Sequence, residues 1–78
     1  MLDLDKRILL IMSEVFDLDE DKIDDDSSNN SLSEWDSMNH MNLIVALEEE
    51  FKCEFDEDDI ENMVSFKIIK RTIEKILN

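Results

Sequence analysis

The sequence of 78 residues contains neither glycine nor proline, and it has a single cysteine. Because Gly and Pro usually mark turns, the boundaries of its elements have to be inferred from polarity and periodicity. One Cys excludes an internal disulfide framework and is typical of a reducing compartment, so we expect a cytoplasmic protein. The apolar run from Ile8 to Met12 is too short to span a bilayer, and the acidic Asp3 and Asp5 argue against a signal peptide. We therefore expect no stable membrane insertion.

Positive charge is also scarce, since eight Lys and Arg face 22 Asp and Glu and leave a net charge of −14. This balance excludes nucleic acid as the main partner, because binding a phosphate backbone needs clustered cations. Hydrophobic residues make up 42% of the chain, which predicts a compact fold, and the length fits one domain over residues 1–78. A domain this small has little room for an enclosed active site. We therefore expect a monomer that is not itself an enzyme and has no metal site.

Apolar residues recur every three to four positions over residues 4–16, 37–51 and 66–77, which predicts three amphipathic helices. Acidic residues at 56–59 predict the start of a short helix that runs through Met63. The fold class is therefore all-α, a small four-helix bundle of three main helices and one short helix, with a long first loop. The predicted N-terminal caps are Asp3 or Asp5 for the first helix and Ser65 for the last. The predicted core stripes are Leu4, Ile8, Ile11, Met12, Val15 and Phe16; Met38, Met41, Leu43, Val45, Leu47 and Phe51; and Phe66, Ile69, Ile73, Ile76 and Leu77.

A serine lies at the point where the long acidic loop becomes the second helix. Ser37 follows Asp36 there, and the loop over residues 17–36 is longer than a compact domain needs for a spacer. Free amides and the helix dipole make such a position favourable for an anion. A phosphodiester built on the Ser37 hydroxyl would fit with little strain, and the side chain would stay open to a modifying enzyme.

At these residues the sequence resembles the acyl carrier protein family. The matching segments are Asp36-Ser37-Met38 and Leu47-Glu48-Glu49-Glu50-Phe51, at the family's spacing and within the same order of helices. The resemblance implies that Ser37 receives 4′-phosphopantetheine from coenzyme A through a separate phosphopantetheinyl transferase that requires Mg²⁺. It implies that acyl groups are held as thioesters on the arm, that Asp36 helps to position metal and cofactor, and that Met38 lies near the cofactor.

The resemblance also implies a docking surface on the second helix for enzymes that transfer or modify acyl groups. Such contacts should be small and transient, and negative charge should speed the encounter with basic patches on these enzymes. The expected docking residues are Asn39, Met41, Asn42, Ile44, Val45, Glu48 and Glu49.

The chain departs from the family pattern around the serine. Many fatty-acid carriers have Gly two residues before the Asp-Ser pair, whereas this chain has Glu34 there, followed by Trp35. Met38 replaces the usual Leu. Asn39 and Asn42 occupy positions that are often acidic in the family. These differences leave the pathway open between fatty-acid or lipid synthesis and a specialised pathway. An aminoacyl carrier is less favoured because of the strong acidity.

An acidic protein-interaction or Ca²⁺-responsive helical module without a prosthetic group is the main alternative. The run of residues 17–21 resembles the start of an EF-hand, but Lys22 replaces the required Gly and Ser28 the bidentate Glu. Regulatory phosphorylation is open at three serines near acidic residues: Ser31, Ser33 and Ser37.

A hydrolase that uses Ser37, His40 and Asp36 is a further alternative. A catalytic triad needs the His between nucleophile and carboxylate, beside an oxyanion hole, and no enclosed pocket is indicated. We expect His40 at the surface or facing a partner, Cys53 as an incidental thiol, and Trp35 as an anchor of the long loop on the bundle.

Overall fold

The computed structural model describes residues 4–77 and forms an all-helical bundle. A 3₁₀ turn, Glu20–Lys22, lies in the long connection after the first helix. Within the described range there is no strand, and no helix is long and apolar enough to cross a membrane. The predicted fold class, with three main helices and one short one, is confirmed. The helices are α1 (Leu4–Phe16), α2 (Ser37–Phe51), α3 (Glu57–Asn62) and α4 (Phe66–Leu77).

One hydrophobic core lies between the helices. The predicted spacing explains it, because side chains three or four positions apart share one helix face. Each fully buried aliphatic side chain contributes about 1.5–3 kcal/mol to the free energy of unfolding. The helical core residues are Ile8, Met12 and Phe16 of α1; Leu43, Ile44, Leu47 and Phe51 of α2; and Phe66, Ile69 and Ile73 of α4.

The core side of α2 differs from the prediction. Met38 is 76% exposed, and Met41 and Val45 are each 51% exposed, so the prediction that they belong to the core is wrong. Ile44 is only 2% exposed and takes a place in the core instead. The helix has apolar residues on two sides, and the core is formed on the side of Leu43.

The last turn of α4 and the first turn of α1 also differ from the prediction. Ile76 and Leu77 are exposed, because the last turn of α4 extends beyond its last core residue. Asp5 lies inside the first turn of α1 instead of before it, and its Oδ1 is 2.8 Å from the Nζ of Lys70 on α4. The hydrogen bond to Asp5 raises the pKa of the Lys70 ammonium. Asp3, the other predicted cap, lies outside the described residues.

The predicted start of α3 in the acidic cluster and the predicted cap of α4 are confirmed. The Asp56 side chain accepts a hydrogen bond from the amide of Asp59 at 2.8 Å, and α3 begins at the next residue. The Ser65 hydroxyl oxygen accepts from the amide of Ile68 at 3.2 Å and so caps α4. Both side chains satisfy amides that have no partner within the first turn of a helix.

The connection over residues 17–36 is held on the bundle at both backbone and side chains. Ser27 is buried, and its carbonyl accepts a hydrogen bond from the amide of Phe66 at 3.0 Å. Next to it, Ser28 and Ser65 form an isolated antiparallel bridge. The connection therefore has a fixed path to the start of α2. Its side chains packed in or against the core are Leu18, Ile23, Leu32 and Trp35.

Two helices end in a left-handed residue that is not glycine. Asp17 follows α1 with φ of 55°, and Lys52 follows α2 with φ of 52°. After Lys52, the amide of Cys53 donates a hydrogen bond to the carbonyl oxygen of Glu48 at 3.2 Å. This bond gives a partner to one of the carbonyl groups in the last turn of α2. A residue with a Cβ costs about 1–2 kcal/mol in this conformation, and the chain has no Gly to avoid that cost.

We therefore expect Lys52→Gly to be more stable than Lys52→Ala by about 1 kcal/mol. Both substitutions remove the same charge, but only Gly removes the Cβ. Chemical denaturation of the two variants measures the difference in free energy of unfolding. Equal stability would show that the left-handed residue carries no strain.

Candidate functional site

The candidate site is the N-terminal end of α2. Asp36 has an extended backbone, and its side chain accepts a hydrogen bond from the amide of Asn39 at 2.8 Å. Ser37 is the first residue of the helix and is exposed. Among residues 4–77, the amides of Ser37 and Met38 have no hydrogen-bond partner. The site therefore offers a hydroxyl and two free amides at the positive end of a helix dipole.

Side chains after the cap hold the end of the loop. The Asn39 Nδ2 donates to the carbonyl of Glu34 at 2.8 Å, and the Asn42 Nδ2 donates to the Asn39 Oδ1 at 3.2 Å. Asn39 and Asn42, which we predicted as docking residues, thus also fix the turn that places Ser37.

Trp35 anchors the loop, as predicted from the sequence. It is 3% exposed, and its ring centroid lies 5.2 Å from that of Phe16 on α1. Its Nε1 donates to the Nδ1 of His40 at 3.0 Å, and the Nε2 of His40 lies 2.8 Å from the carbonyl oxygen of Ile60 on α3. The expectation that His40 is a surface or partner-facing residue is therefore wrong, because both ring nitrogens are used inside the protein.

A groove of about 430 Å³ lies beside Ser37, between the start of α2 and α3. Its polar and apolar lining suits a flexible arm that carries both amide and methyl groups better than it suits a charged ligand alone. The groove has room for a phosphodiester on Ser37, because Ser37 is one of its lining residues. The lining residues are Asn29, Trp35, Asp36, Ser37, His40, Ile60, Glu61 and Val64.

The structure separates the predicted docking residues into three groups. Met41, Asn42, Val45 and Glu49 are exposed, as is Met38. Asn39 and Glu48 are half-buried, and Glu48 Oε2 accepts a hydrogen bond from the amide of Phe55 at 3.0 Å. The prediction that Ile44 is a docking residue is wrong, because its side chain is in the core and is not available to a partner.

The other chemical candidates do not form a site. His40 cannot act as a base for Ser37 in this arrangement, since Trp35 and Ile60 occupy its two nitrogens. Burial, and next the charge of Glu48, raise the pKa of the Cys53 thiol, which disfavours the reactive thiolate. Within residues 4–77, no group of three or more His, Cys, Asp or Glu side chains is arranged to hold a metal ion.

Comparison with known proteins identifies the family. Residues 6–66 match the family described as "Phosphopantetheine attachment site". The fold is similar to the solution NMR structure of the holo acyl carrier protein from Geobacter metallireducens, with a TM-score of 0.83 and 30% sequence identity. That alignment covers 94% of this chain and 84% of the other.

The chain belongs to the phosphopantetheine-carrying acyl carrier protein family, because the family match spans most of its length. It has an acyl carrier role and is a carrier, not an enzyme. Phosphopantetheine is its prosthetic group. The predictions of family, cofactor and carrier role are confirmed.

Asp36 can be tested for its two roles separately. Asp36→Ala removes the cap and should lower the free energy of unfolding by about 1 kcal/mol, whereas Asp36→Asn keeps a capping oxygen and should cost much less. Denaturant unfolding measures both. If Asp36→Asn is stable yet receives the prosthetic group more slowly, the carboxylate charge helps the transfer; if both variants are equally destabilised, the cap account is wrong.

Proposed function

We propose that this protein holds acyl intermediates as thioesters on a 4′-phosphopantetheine arm attached to Ser37. The observation that supports this site is that Ser37 is the one serine among residues 4–77 whose hydroxyl neither donates nor accepts a hydrogen bond. The other six hydroxyls are engaged: Ser13, Ser27, Ser28, Ser31, Ser33 and Ser65.

The serines nearest in sequence illustrate the difference. The Ser31 hydroxyl accepts from the amide of Ser28 at 2.9 Å and donates to its carbonyl at 3.1 Å. The Ser33 hydroxyl donates to Glu34 Oε1 at 3.3 Å. A hydroxyl that is part of a turn has to break these contacts before it can be modified, whereas that of Ser37 does not.

The residues around Ser37 have distinct roles in this proposal. The free amides of Ser37 and Met38 favour the phosphodiester, because they add to the positive end of the α2 dipole. Asp36 fixes the start of the helix and provides a carboxylate beside the hydroxyl for the transferase reaction. When bound, the arm supplies the thiol on which acyl groups are held as thioesters.

The attachment site is tested by intact-mass analysis. After incubation with coenzyme A, Mg²⁺ and a promiscuous phosphopantetheinyl transferase, the protein should gain one phosphopantetheine. Ser37→Ala should gain none, and Ser33→Ala should be modified like the natural sequence. Modification of Ser37→Ala would place the arm on another residue.

We propose that enzymes dock on the exposed side of α2. Met38, Met41 and Val45 provide apolar contact there, and Met side chains adapt to different surfaces. Glu49 adds an exposed negative charge on the same side. The proposed partners are the phosphopantetheinyl transferase and acyl-transferring or acyl-modifying enzymes with basic patches, which bind a monomer of this chain.

Charge reversal tests this surface. Glu49→Lys should lower kcat/KM of the transferase roughly threefold at low salt, since it replaces attraction to a basic patch by repulsion. Glu74→Lys, an exposed position on α4, changes the net charge equally and should have little effect. The difference should shrink as salt rises. Equal loss in the two variants would show that only net charge matters.

For the pathway, we propose fatty-acid or lipid synthesis or a specialised biosynthetic route in the cytoplasm. The departures at Glu34, Trp35 and Met38 support a specialised set of partners, because they surround the attachment site. Mass spectrometry of the thioester on protein isolated from its own cells identifies the cargo and so decides among these routes.

A further inference from the structure

A hydrogen-bonded bridge joins the residue that precedes the cap to α3. We call it the Trp35–His40–Ile60 bridge: Trp35 Nε1 to His40 Nδ1 at 3.0 Å, and His40 Nε2 to the carbonyl oxygen of Ile60 at 2.8 Å. The indole nitrogen can only donate, and the carbonyl oxygen can only accept. The ring therefore accepts at Nδ1 and donates at Nε2, which is one neutral tautomer.

Protonation is incompatible with this bridge. A charged imidazole has N–H groups at both nitrogens, so Nδ1–H would point at the indole N–H of Trp35. An imidazole ordinarily changes charge between about pH 5 and 8. Protonation of the ring therefore removes the bond from Trp35 and leaves the contact with Ile60.

The groups that surround His40 act in opposite directions. The titratable groups that line the groove around it are Asp36, at the start of α2, and Glu61, on α3. A carboxylate can only accept a hydrogen bond, whereas the Trp35 N–H can only donate one. The groove residues from the long connection and from the segment between α3 and α4 are the uncharged Asn29 and Val64.

We infer that His40 is a positioning residue for Ser37, and that it holds Trp35 in place only while its ring is neutral. Trp35 is two residues before Ser37, and its burial fixes the backbone that enters α2. Losing the bond to His40 loosens that backbone and changes how Ser37 is presented. This role rests on the proposed attachment at Ser37, but the state of the bridge does not.

Two substitutions separate the contacts of the ring. His40→Asn places an acceptor oxygen at the position of Nδ1, so it keeps the bond from Trp35 and does not titrate. His40→Gln places its amide near the position of Nε2, so it keeps the contact with Ile60 and loses the acceptor for Trp35.

The bridge is tested on the unmodified protein by NMR. The chain has one Trp, so it gives one indole N–H signal, and the ¹⁵N shifts of the His40 ring report the tautomer. Exchange protection of the indole N–H, relative to its intrinsic rate, should fall about fivefold between pH 8 and pH 5.5, the factor for a hydrogen bond of about 1 kcal/mol. It should stay high in His40→Asn and low in His40→Gln at both pH values. A proton on Nδ1 at pH 8, or the same pH response in His40→Asn, would overturn the inference.

The consequence for Ser37 is tested by competition. Equal amounts of the natural protein and His40→Asn share one tube with coenzyme A and transferase, which cancels the pH dependence of the transferase itself. The ratio of modified natural protein to modified variant should fall by up to about fivefold between pH 8 and pH 5.5. A constant ratio would refute the positioning role. If neither protein is modified at any pH, the proposed function fails, and the indole measurement still decides the bridge.

Discussion

The burial of Trp35 against Phe16 determines where the long connection ends and where α2 begins. A connection of this length loses much conformational entropy when it is ordered, and scattered polar contacts do not offset that loss. A large aromatic ring in the core contributes more than any one of these contacts, and it fixes the residue just before the cap. Asp36 then starts the helix and Ser37 stays exposed. The proposed attachment site thus depends on one side chain that is not itself part of the proposed chemistry.

Much of the fold follows from the sequence because local signals agree. In α1 and α4 the core residues recur with the helical period, and Asp56 and Ser65 mark helix starts with side chains that cap free amides. The site also follows in part, since Asp36 and Ser37 stand where a polar loop meets an amphipathic helix. These features depend on neighbours within a few positions.

Other features depend on neighbours that the sequence does not reveal. On α2, Met41 and Ile44 both fit an apolar stripe, and only the packing of the rest of the bundle decides that Ile44 is buried. His40 pairs with the carbonyl of Ile60, twenty positions away. One signal for its first contact was present, because a buried indole N–H needs an acceptor and His40 lies five positions after Trp35.

Four of the eight Lys and Arg residues form ion pairs that join different segments of the chain. Each such pair is exposed and contributes only about 0–1 kcal/mol, so the set does not explain stability by itself. It does reduce repulsion where acidic segments meet, and it pairs Glu50 but not Glu49 among the exposed acids of α2. The pairs are Lys6 with Glu20, Arg7 with Glu50, Lys67 with Asp26, and Lys70 with Asp5.

The bridge between Ser28 and Ser65 has a consequence for the order of folding. Its partners are far apart along the chain, whereas α1 and α2 are built from local contacts. Closing a long loop is slow, because the chain loses conformational entropy before the contact between its two ends forms. We therefore expect the core that buries Trp35 to form first and the segment around Ser28 to pair with Ser65 last, so that the middle of the long connection takes its final path only after the start of α2 is in place.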